Sequence, residues 1–372
     1  MISRFDPRRL LVGLAAPVLA VLFAFGITSL VLVATGHNPF STLSTMLDHA
    51  AKPRNQVLII NLATTYYLSA LAVAIGFRMN LFNIGVDGQY RLAAMLAAVV
   101  GGAVHLPAVI HVTLIVLTAM VVGALWAGIA GLLKATRGVS EVISTIMLNV
   151  IATGVVAYLL TPEIFAVPVA GSNNIGTKPI PASGQMPGLP LIPDTPSKVF
   201  GFIIVAAIAG AAYWVLLERT RFGFDLRATG QSESAAVASG VNVRQMIIYA
   251  MLISGAVAGL VGMPQLLGDS YQYSLDFPAG LGFTGIAIAL LGRNHPVGIA
   301  IGALLWAFLD GASNILDFQG IAPEIVKIMQ GGLVLSVVVA YELVRRYRLA
   351  AEQRRVGRAL ARTAAEPEGA TA

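Results

Sequence analysis

The feature that most restricts the fold of this chain is a series of long segments with almost no charged side chains. A helix needs about 20 apolar residues to cross the hydrocarbon core of a bilayer. Seven segments approach or exceed that length, at residues 10–34, 57–75, 108–133, 142–160, 199–217, 246–267 and 325–344. Three more are shorter or interrupted by polar side chains, at 91–104, 277–292 and 297–315. Because backbone groups inside lipid must bond within their own helix, the sequence predicts an all-α integral membrane protein with about ten transmembrane helices.

Charge and cysteine content exclude several other classes of protein. Only 11% of the residues are charged, against about 25% in a soluble domain, so much of the folded surface must face lipid. The absence of cysteine excludes disulfides and thiol catalysis. The five histidines have no metal-binding spacing, and we predict neither a metal site nor a catalytic residue. The net charge of +6 does not indicate nucleic-acid binding, because the basic side chains flank the apolar segments and form no stripe.

The distribution of Lys and Arg predicts which helix ends face the cytoplasm, since cytoplasmic loops are enriched in both residues. With the N-terminus inside, nineteen of them fall in inner segments, four in outer segments and one, Lys327, within a span. An odd number of spans would place the seven arginines of residues 345–362 outside. We therefore predict ten spans with both the N- and the C-terminus cytoplasmic. The first span is too long for a signal peptide and is predicted to be retained.

Three regions follow from this topology: a basic cytoplasmic tail (1–9), a transmembrane domain (10–344) and a second basic cytoplasmic tail (345–372). The outer loop 161–198 contains eight prolines, which predicts an ordered but irregular cap over the helices. The C-terminal tail is rich in Arg and Ala. We predict that it extends the last helix, lies against anionic lipid and frays into partial disorder.

The inner loop 218–245 is long and rich in small residues. Within it, Gly230 and Gly240 bracket a run of small and helix-forming residues at 231–239. A helix of one to two turns there is too short to span a membrane, and it has no long apolar face to bury in lipid. Its small side chains would let it sit closely in a groove on another protein. The alternative is an ordinary surface loop, and spacing alone does not decide between the two.

Four segments together resemble one family. The inner loop carries the pattern Phe-Gly…Arg-Ala-x-Gly…Glu-x-Ala-Ala…Ser-Gly-Val at 222–241. The others are Met-Asn-Leu-Phe-Asn-Ile-Gly-Val-Asp-Gly-Gln at 79–89, Ser-Glu-Val-Ile-Ser-Thr-Ile-Met-Leu-Asn at 140–149 and Ala-Leu-Leu-Gly-Arg-Asn-His-Pro-Val-Gly at 289–298. They resemble permease subunits of ABC importers of the ribose-permease-like branch, which serves nucleosides and simple sugars. The form at 82–89 is more similar to the nucleoside permeases, and the resemblance covers about residues 57–344.

This resemblance implies the permease fold of that branch, in the cytoplasmic membrane of a prokaryote, and an alternating-access mechanism. It implies that the short inner helix couples to a separate ATPase subunit, through Gly230, Glu233, Ala235, Ala236, Ser239 and Gly240. The sequence contains no GxxxxGK[ST] phosphate loop, so ATP and Mg²⁺ are expected in that partner and no cofactor in this chain. The other implied partners are a second homologous permease, expected to be a different chain, and an extracytoplasmic substrate-binding protein.

Polar side chains inside spans are expensive and mark candidate positions of a solute pathway. Four of them share one face of the predicted fifth helix: Glu141, Ser144, Thr145 and Asn149. Four more share a face of the ninth: Asp310, Ser313, Asn314 and Asp317. The alternative is hydrogen bonding between helices, which contributes only about 0.6 kcal/mol on average. Glu141 and Asp317 also lie near span ends, where water can solvate them.

Other candidates lie on and after the second span. Asn83 and Gln89 flank two glycines, in a segment that is either a plain cytoplasmic turn, the interpretation we favour, or a re-entrant turn beside the pathway. Tyr66 lies mid-span, away from the interfacial positions usual for Tyr, and could stack on a base or sugar. The spacings Gly255-x-x-x-Gly259 and Gly298-x-x-x-Gly302 predict close helix packing.

Two other function classes were compared with the permease. An ion-coupled secondary transporter commonly shows inverted repeats and a buried carboxylate at mid-depth; here the halves show no clear similarity, and Asp310 is the carboxylate well inside a span. An intramembrane enzyme would need a metal or acid–base constellation that the sequence lacks. The permease is therefore the leading hypothesis, with the ion-coupled transporter as the alternative. The sequence does not decide between a nucleoside and a sugar.

Overall fold

The computed structural model describes residues 7–365, without the side chains of residues 7–18, 20, 314, 348, 351–352 and 354–365. Most of this part of the chain is helical. The α-helices are α1 (Pro7–Ala34), α2 (Pro39–Ala50), α3 (Pro53–Phe77), α4 (Val86–Ala103), α5 (Ala108–Arg137), α6 (Glu141–Leu159), α7 (Ile203–Arg219), α8 (Arg221–Gln231), α9 (Glu233–Ala238), α10 (Val243–Gly259), α11 (Met263–Gln265), α12 (Leu281–Leu291), α13 (Pro296–Asp317) and α14 (Pro323–Ala365). A π-helical turn, Leu266–Ser270, follows α11.

Each of the ten predicted apolar segments falls on a helix, so the all-α prediction is confirmed. By length and hydropathy, six described helices can cross a membrane, and eight can if each of two bent pairs is one span. The bent pairs are Val21–Ala34 with Pro39–Ala50, at 111°, and Ile203–Arg219 with Arg221–Gln231, at 71°. This count is below ten because α4 begins with a polar first turn and α12 has only 11 residues. Helix α2 lies where the sequence predicted an outer segment.

The chain forms two compact units. One combines the residues up to Thr45 with those from Ile315 onward, and the other is Met46–Asn314. In the first, α1 packs along α14, and the rings of Phe25 and Phe40 are 5.7 Å apart across the α1–α2 bend. Helix α14 continues to Ala365, which confirms the predicted helical extension. The predicted disorder at the end of the tail falls on residues 366–372, outside the described residues, as do residues 1–6 of the N-terminal tail.

The second unit is built around α3, which packs against α12, α10 and α7. Close contact between α5 and α10 depends on glycine, because a Cβ on Gly255 would overlap the carbonyl oxygen of Gly123 and one on Gly259 would overlap that of Ala119. A Cβ on Gly298 would likewise overlap the carbonyl oxygen of Gly292. The predicted close-packing role is confirmed for Gly255, Gly259 and Gly298, whereas a Cβ on Gly302 would meet only side-chain atoms, the nearest at 3.2 Å.

Loops of the second unit gather at two ends. At the end we call the basic end, residues 78–82 contact Glu141, Gly230 and Asn294. At the end we call the cap end, the loop 161–202 contacts the start of α3 and residues 267–274. That loop contains an antiparallel pair, β1 (Val167–Pro168) and β2 (Ile175–Gly176), and a 3₁₀ turn, Ala182–Gly184. It is ordered and irregular, as its prolines predicted.

Candidate functional site

The predicted short helix of the inner loop is present at the basic end as α9 (Glu233–Ala238). It is separated from α8 by Ser232, whose hydroxyl oxygen accepts a hydrogen bond from the Ala235 amide at 3.3 Å. Side-chain caps of this kind satisfy amides that have no partner within the helix. Gly240 ends the segment with a φ of +83°, a conformation that glycine adopts without strain. Local sequence signals therefore determine both ends of α9.

Helix α9 buries a single side chain and is otherwise exposed. Ala236 is buried, with 2% of its surface accessible. Glu233, Ala235 and Ser239 are exposed, together with Gly240 beyond the helix. Val237 is 61% exposed, which leaves an apolar side chain in water at the tip of the segment. A small apolar and acidic surface is thus presented outward on a short, rigid element.

Gly230, at the end of α8, is not part of this exposed surface. Its carbonyl oxygen accepts a hydrogen bond from the Asn80 side-chain amide at 3.0 Å. A Cβ at Gly230 would lie 2.7 Å from the Arg78 carbonyl oxygen and 2.9 Å from the Met79 Cα. Glycine therefore permits direct contact between α8 and the chain that follows α3. The predicted coupling residues accordingly divide into an exposed group on α9 and Gly230, which lies against residues 78–80.

Arg78 links this contact to two further elements. Its Nη2 donates to the Asn294 carbonyl oxygen at 3.0 Å and lies 3.7 Å from the Glu218 carboxylate. Glu218 lies equally far from Arg227 of α8. The Tyr213 hydroxyl also donates to the Asn294 carbonyl oxygen, at 2.6 Å. Residue 78 thus joins α3 to α7, α8 and the α12–α13 turn.

The sequence analysis did not predict these linking residues. The available signal was conformational: Asn80 and Asn294 have φ values of +57° and +55°, in the left-handed region that Asn tolerates better than most residues. Each Asn lies in a short connection between two helices, next to an arginine or one residue beyond it. Such a connection predicts a turn, but it gives no indication of which other turn it contacts.

Asn83, which the sequence placed in either a plain cytoplasmic turn or a re-entrant one, lies inside the helix bundle and is fully buried. Its Oδ1 accepts from the Gly85 amide at 3.1 Å and from Gln89 Nε2 at 2.9 Å. Its Nδ2 donates to Gln89 Oε1 at 3.0 Å and to Ser254 Oγ at 2.8 Å. These bonds use the full capacity of a side-chain amide. The pair Asn83–Gln89 thereby fixes the start of α4 against α10.

The polar face of α6 is directed at the same segment. Asn149 accepts from the Gly88 amide at 2.8 Å and donates to the Ile84 carbonyl at 2.9 Å. Glu141 accepts from the Phe82 amide and forms a 2.6 Å ion pair with Lys134. The hydroxyls of Ser144 and Thr145 bond to carbonyls one turn earlier in α6. The structure thus brings together five of the predicted residues: Asn83, Gln89, Glu141, Thr145 and Asn149. Their side chains form hydrogen bonds between helices or within one helix.

Helix α12 begins inside the bundle instead of at its surface. The Gly282 amide donates to the carboxylate of Asp87, which is mostly buried in the first turn of α4, at 3.4 Å. The Ser69 hydroxyl of α3 donates to the Leu281 carbonyl at 2.7 Å. The loop 271–280 therefore enters from the cap end and turns at the level of Ser69. An acidic side chain near the first turn of a helix complements the positive end of its dipole.

The remaining pathway candidates include a separate pair. The Tyr66 hydroxyl donates to Asp310 Oδ2 at 2.5 Å, and Tyr66 is 7% exposed. The Tyr66 side chain is therefore buried, and its hydroxyl is bonded within the subunit. The side chain of Asn314 lies outside the described residues, Ser313 is half-buried and Asp317 is exposed. The predicted polar face of the ninth span is thus described at Asp310, Ser313 and Asp317.

Comparison with known proteins gives a family and several relatives. Residues 55–338 match the family described as the permease component of branched-chain amino acid transport systems. The guanosine ABC transporter permease protein NupP of Bacillus subtilis is 37% identical over 89% of this chain and 94% of its own length. The glucose ABC transporter permease protein TsgB13 of Haloferax volcanii is 32% identical over 93% of each chain. The nucleoside ABC transporter permease protein NupB of Lactococcus lactis is 29% identical over 87% and 90%.

Proposed function

Because the chain belongs to the family of branched-chain amino acid transport permease components, we propose that it carries nucleosides across the cytoplasmic membrane of a prokaryote, with simple sugars as the second candidate class. It is a multi-pass permease subunit of an ABC importer, and ATP hydrolysis belongs to a separate subunit. Family membership decides for this hypothesis over the ion-coupled transporter.

The choice of nucleosides has two supports. Two of the three relatives named above are permeases for guanosine or nucleosides, and one serves glucose. The segment at 82–89 is also more similar to the nucleoside permeases. Uptake of labelled nucleosides and sugars by the assembled importer distinguishes the two classes.

We propose that α9 docks in the ATPase and that its motion reaches the bundle through residues 78–80. The observation that carries this proposal is the exposure of α9 together with the direct contact of Gly230 with Arg78 and Met79. A short helix that buries only Ala236 can tilt with a partner, while the contact at Gly230 passes the displacement to α3. The Arg78 bonds to Asn294 would carry it on to α12 and α13.

The coupling proposal predicts a large loss of assembly from a change of one exposed side chain. Val237→Asp places a charge on the docking surface without disturbing buried contacts, so we expect the ATPase no longer to co-purify and uptake to stop. Leu191→Asp makes the same change at the cap end, where Leu191 is 60% exposed, and should retain the ATPase. Normal co-purification of the Val237→Asp variant would contradict docking through α9.

We also propose ten spans with both termini cytoplasmic, so that the basic end faces the cytoplasm. This accounts for the placement of Arg78, Lys134, Arg219 and Arg227 by the rule for Lys and Arg. In this arrangement α4 and α12 are the two spans that bring the eight described above to ten. The long α14 would carry its basic extension along the inner surface, against anionic lipid.

Sidedness is measurable because the natural chain has no cysteine. Single substitutions Ser234→Cys on α9 and Ser172→Cys in the cap loop both replace exposed residues. A membrane-impermeant thiol reagent should label Ser172→Cys in intact cells, and label Ser234→Cys only after the membrane is opened. External labelling of Ser234→Cys would reverse the proposed orientation.

Partners of this kind of permease are an ATPase and a substrate-binding protein. We propose that the second permease is a different homologous chain and that the substrate-binding protein docks on the cap loop 161–198. Mg²⁺ and ATP are assigned to the ATPase, and no cofactor to this chain. For Asn83, Gln89, Glu141, Thr145 and Asn149, the bonding described above favours fastening of the helices over contact with solute.

A further inference from the structure

A cavity of about 870 Å³ opens at the cap end of the second unit. Its walls come from the first half of α3, the cap loop and the residues around the π-helical turn, with Ala108 at the start of α5. The volume lies in the range of about 300–1,000 Å³ that is usual for sites of small molecules. All of the lining residues belong to the one unit Met46–Asn314.

The α3 wall gives the cavity its depth. Arg54, Leu58, Asn61 and Thr65 line it at the spacing of one helix face. The distance from the first to the last is about 16 Å along the helix axis. Exposure decreases in the same direction, because Arg54 is exposed whereas Asn61 and Thr65 are each 8% exposed. The cavity is therefore a shaft that runs from the cap end to the middle of α3.

Charges are confined to the mouth of this shaft. Arg54, Lys198 and Asp269 line it and are all exposed. Deeper in, the polar groups are uncharged amides and hydroxyls, with Asn61 and Thr65 the most buried of them. Because the Asn61 amide already bonds the Lys198 carbonyl and the Phe200 amide, a solute that sheds its water inside would find hydrogen-bonding partners at Thr65 and the glutamines and would meet no fixed charge, which disfavours an ion.

The lining also offers hydrogen-bond acceptors and an apolar surface. Gln185 donates from Nε2 to the Ile180 carbonyl at 2.9 Å, and Gln265 donates to Asp269 at 2.7 Å, so each keeps its amide oxygen for another donor. Phe200 and Tyr271 contribute rings to the wall. Acceptors beside aromatic rings suit a solute that has several hydroxyl groups and a flat or apolar ring face.

We propose that this shaft is a solute-binding chamber inside the subunit and that it holds a neutral, hydroxyl-bearing ring compound, such as a nucleoside or a sugar, during import. The proposal rests on the transport function above. Thr65 lies at the deep end of the shaft, which we call its floor. Below it, the hydroxyl of the next residue, Tyr66, is bonded to Asp310, and this pair closes the shaft.

Thiol protection tests the chamber, since the chain has no cysteine of its own. In vesicles that contain the assembled importer, Thr65→Cys should react with a hydrophilic methanethiosulfonate reagent, and guanosine or glucose delivered by the substrate-binding protein should slow the reaction several-fold. Ser172→Cys, exposed in the cap loop where the substrate-binding protein is proposed to dock, controls for docking and should react at the same rate with the solute-free and the solute-loaded binding protein. Leu117→Cys, on a 52% exposed position of α5, should not react if it faces lipid.

The outcomes separate the chamber from the transport function. In vesicles that still take up solute with ATP, Thr65→Cys could remain unlabelled, or could be labelled at a rate that solute does not change. Either result would overturn the chamber and leave the permease role intact. Absence of ATP-dependent uptake of every nucleoside and sugar by the natural chain would instead remove the proposed function. Protection by guanosine monophosphate but by no neutral solute would contradict the assigned solute class.

A second pair of variants uses transport as the readout. Thr65→Val removes the hydroxyl at nearly constant volume and should raise the half-saturating solute concentration several-fold, whereas Thr65→Ser retains the hydroxyl and should restore it. The Thr65 hydroxyl makes only a long 3.5 Å contact with the Asn61 carbonyl, so a loss of folding is not expected. Equal uptake by both variants would count against a role of the floor in binding.

Discussion

Gly255→Leu is expected to yield little or no correctly folded protein, because it separates two helices whose backbones touch. A Cβ at this position would overlap the Gly123 carbonyl oxygen and the Ala127 methyl group of α5. Backbone atoms cannot move aside as a flexible side chain does. Overpacking usually costs about 1–3 kcal/mol, and a leucine against a backbone should reach at least the upper end of that range. Thermal unfolding of the purified protein in detergent measures the loss.

Gly154→Leu is the matched control for this substitution. Gly154 is on α6 and exposed, and a Cβ there would meet no atom within 4 Å. The same change should be neutral or slightly stabilising, since leucine exceeds glycine in helix propensity by roughly 1 kcal/mol. Equal midpoints of thermal unfolding for the two variants would show that α5 and α10 can separate without loss of stability. Unchanged stability of Gly255→Leu alone would show the same.

The close packing of α5 and α10 shows how much of the fold can be predicted from a single sequence. The four-residue spacing of Gly255 and Gly259 predicted that a helix approaches closely. It could not identify α5 as that helix, because the small-residue repeat of Ala119, Gly123 and Ala127 on α5 does not say which other helix it faces. Facing residues more than 100 positions apart are set by the packing of the whole bundle. Sequence periodicity describes one helix at a time.

The helix count has the same limit. Mean hydropathy located all ten apolar segments, since entry into lipid depends on composition over about 20 residues. It missed the true start of α4, where Asp87, Gln89 and Arg91 lower the average although the helix begins at Val86. It also extended α12 by several residues into a loop that turns inside the bundle. Polar groups there are acceptable because partners such as Ser69 and Asp87 bind them.

Asn83→Leu is expected to destabilise the protein by about 3 kcal/mol or more. The substitution nearly conserves volume but leaves the Gly85 amide, both ends of the Gln89 amide and the Ser254 hydroxyl without their Asn83 partner. An unsatisfied buried polar group costs about 1–3 kcal/mol, and Ser254 retains its bond to the Ala72 carbonyl. Denaturant unfolding in detergent gives the difference. Asn173→Leu, at an exposed position between β1 and β2, is the control and should change stability little.

The same substitution separates the two roles considered for Asn83. If Asn83 contacted solute in the pathway, Asn83→Leu would fold normally and alter only uptake. If it fastens α4 to α10, stability falls first, and the double variant with Gln89→Leu should cost less than the sum of the two single variants. This follows because replacing both members of a buried bonded pair removes the orphaned groups that each single change creates. If Asn83→Leu is fully stable and the effects of the two substitutions on the free energy of unfolding simply add, Asn83 would again be a candidate for contact with solute.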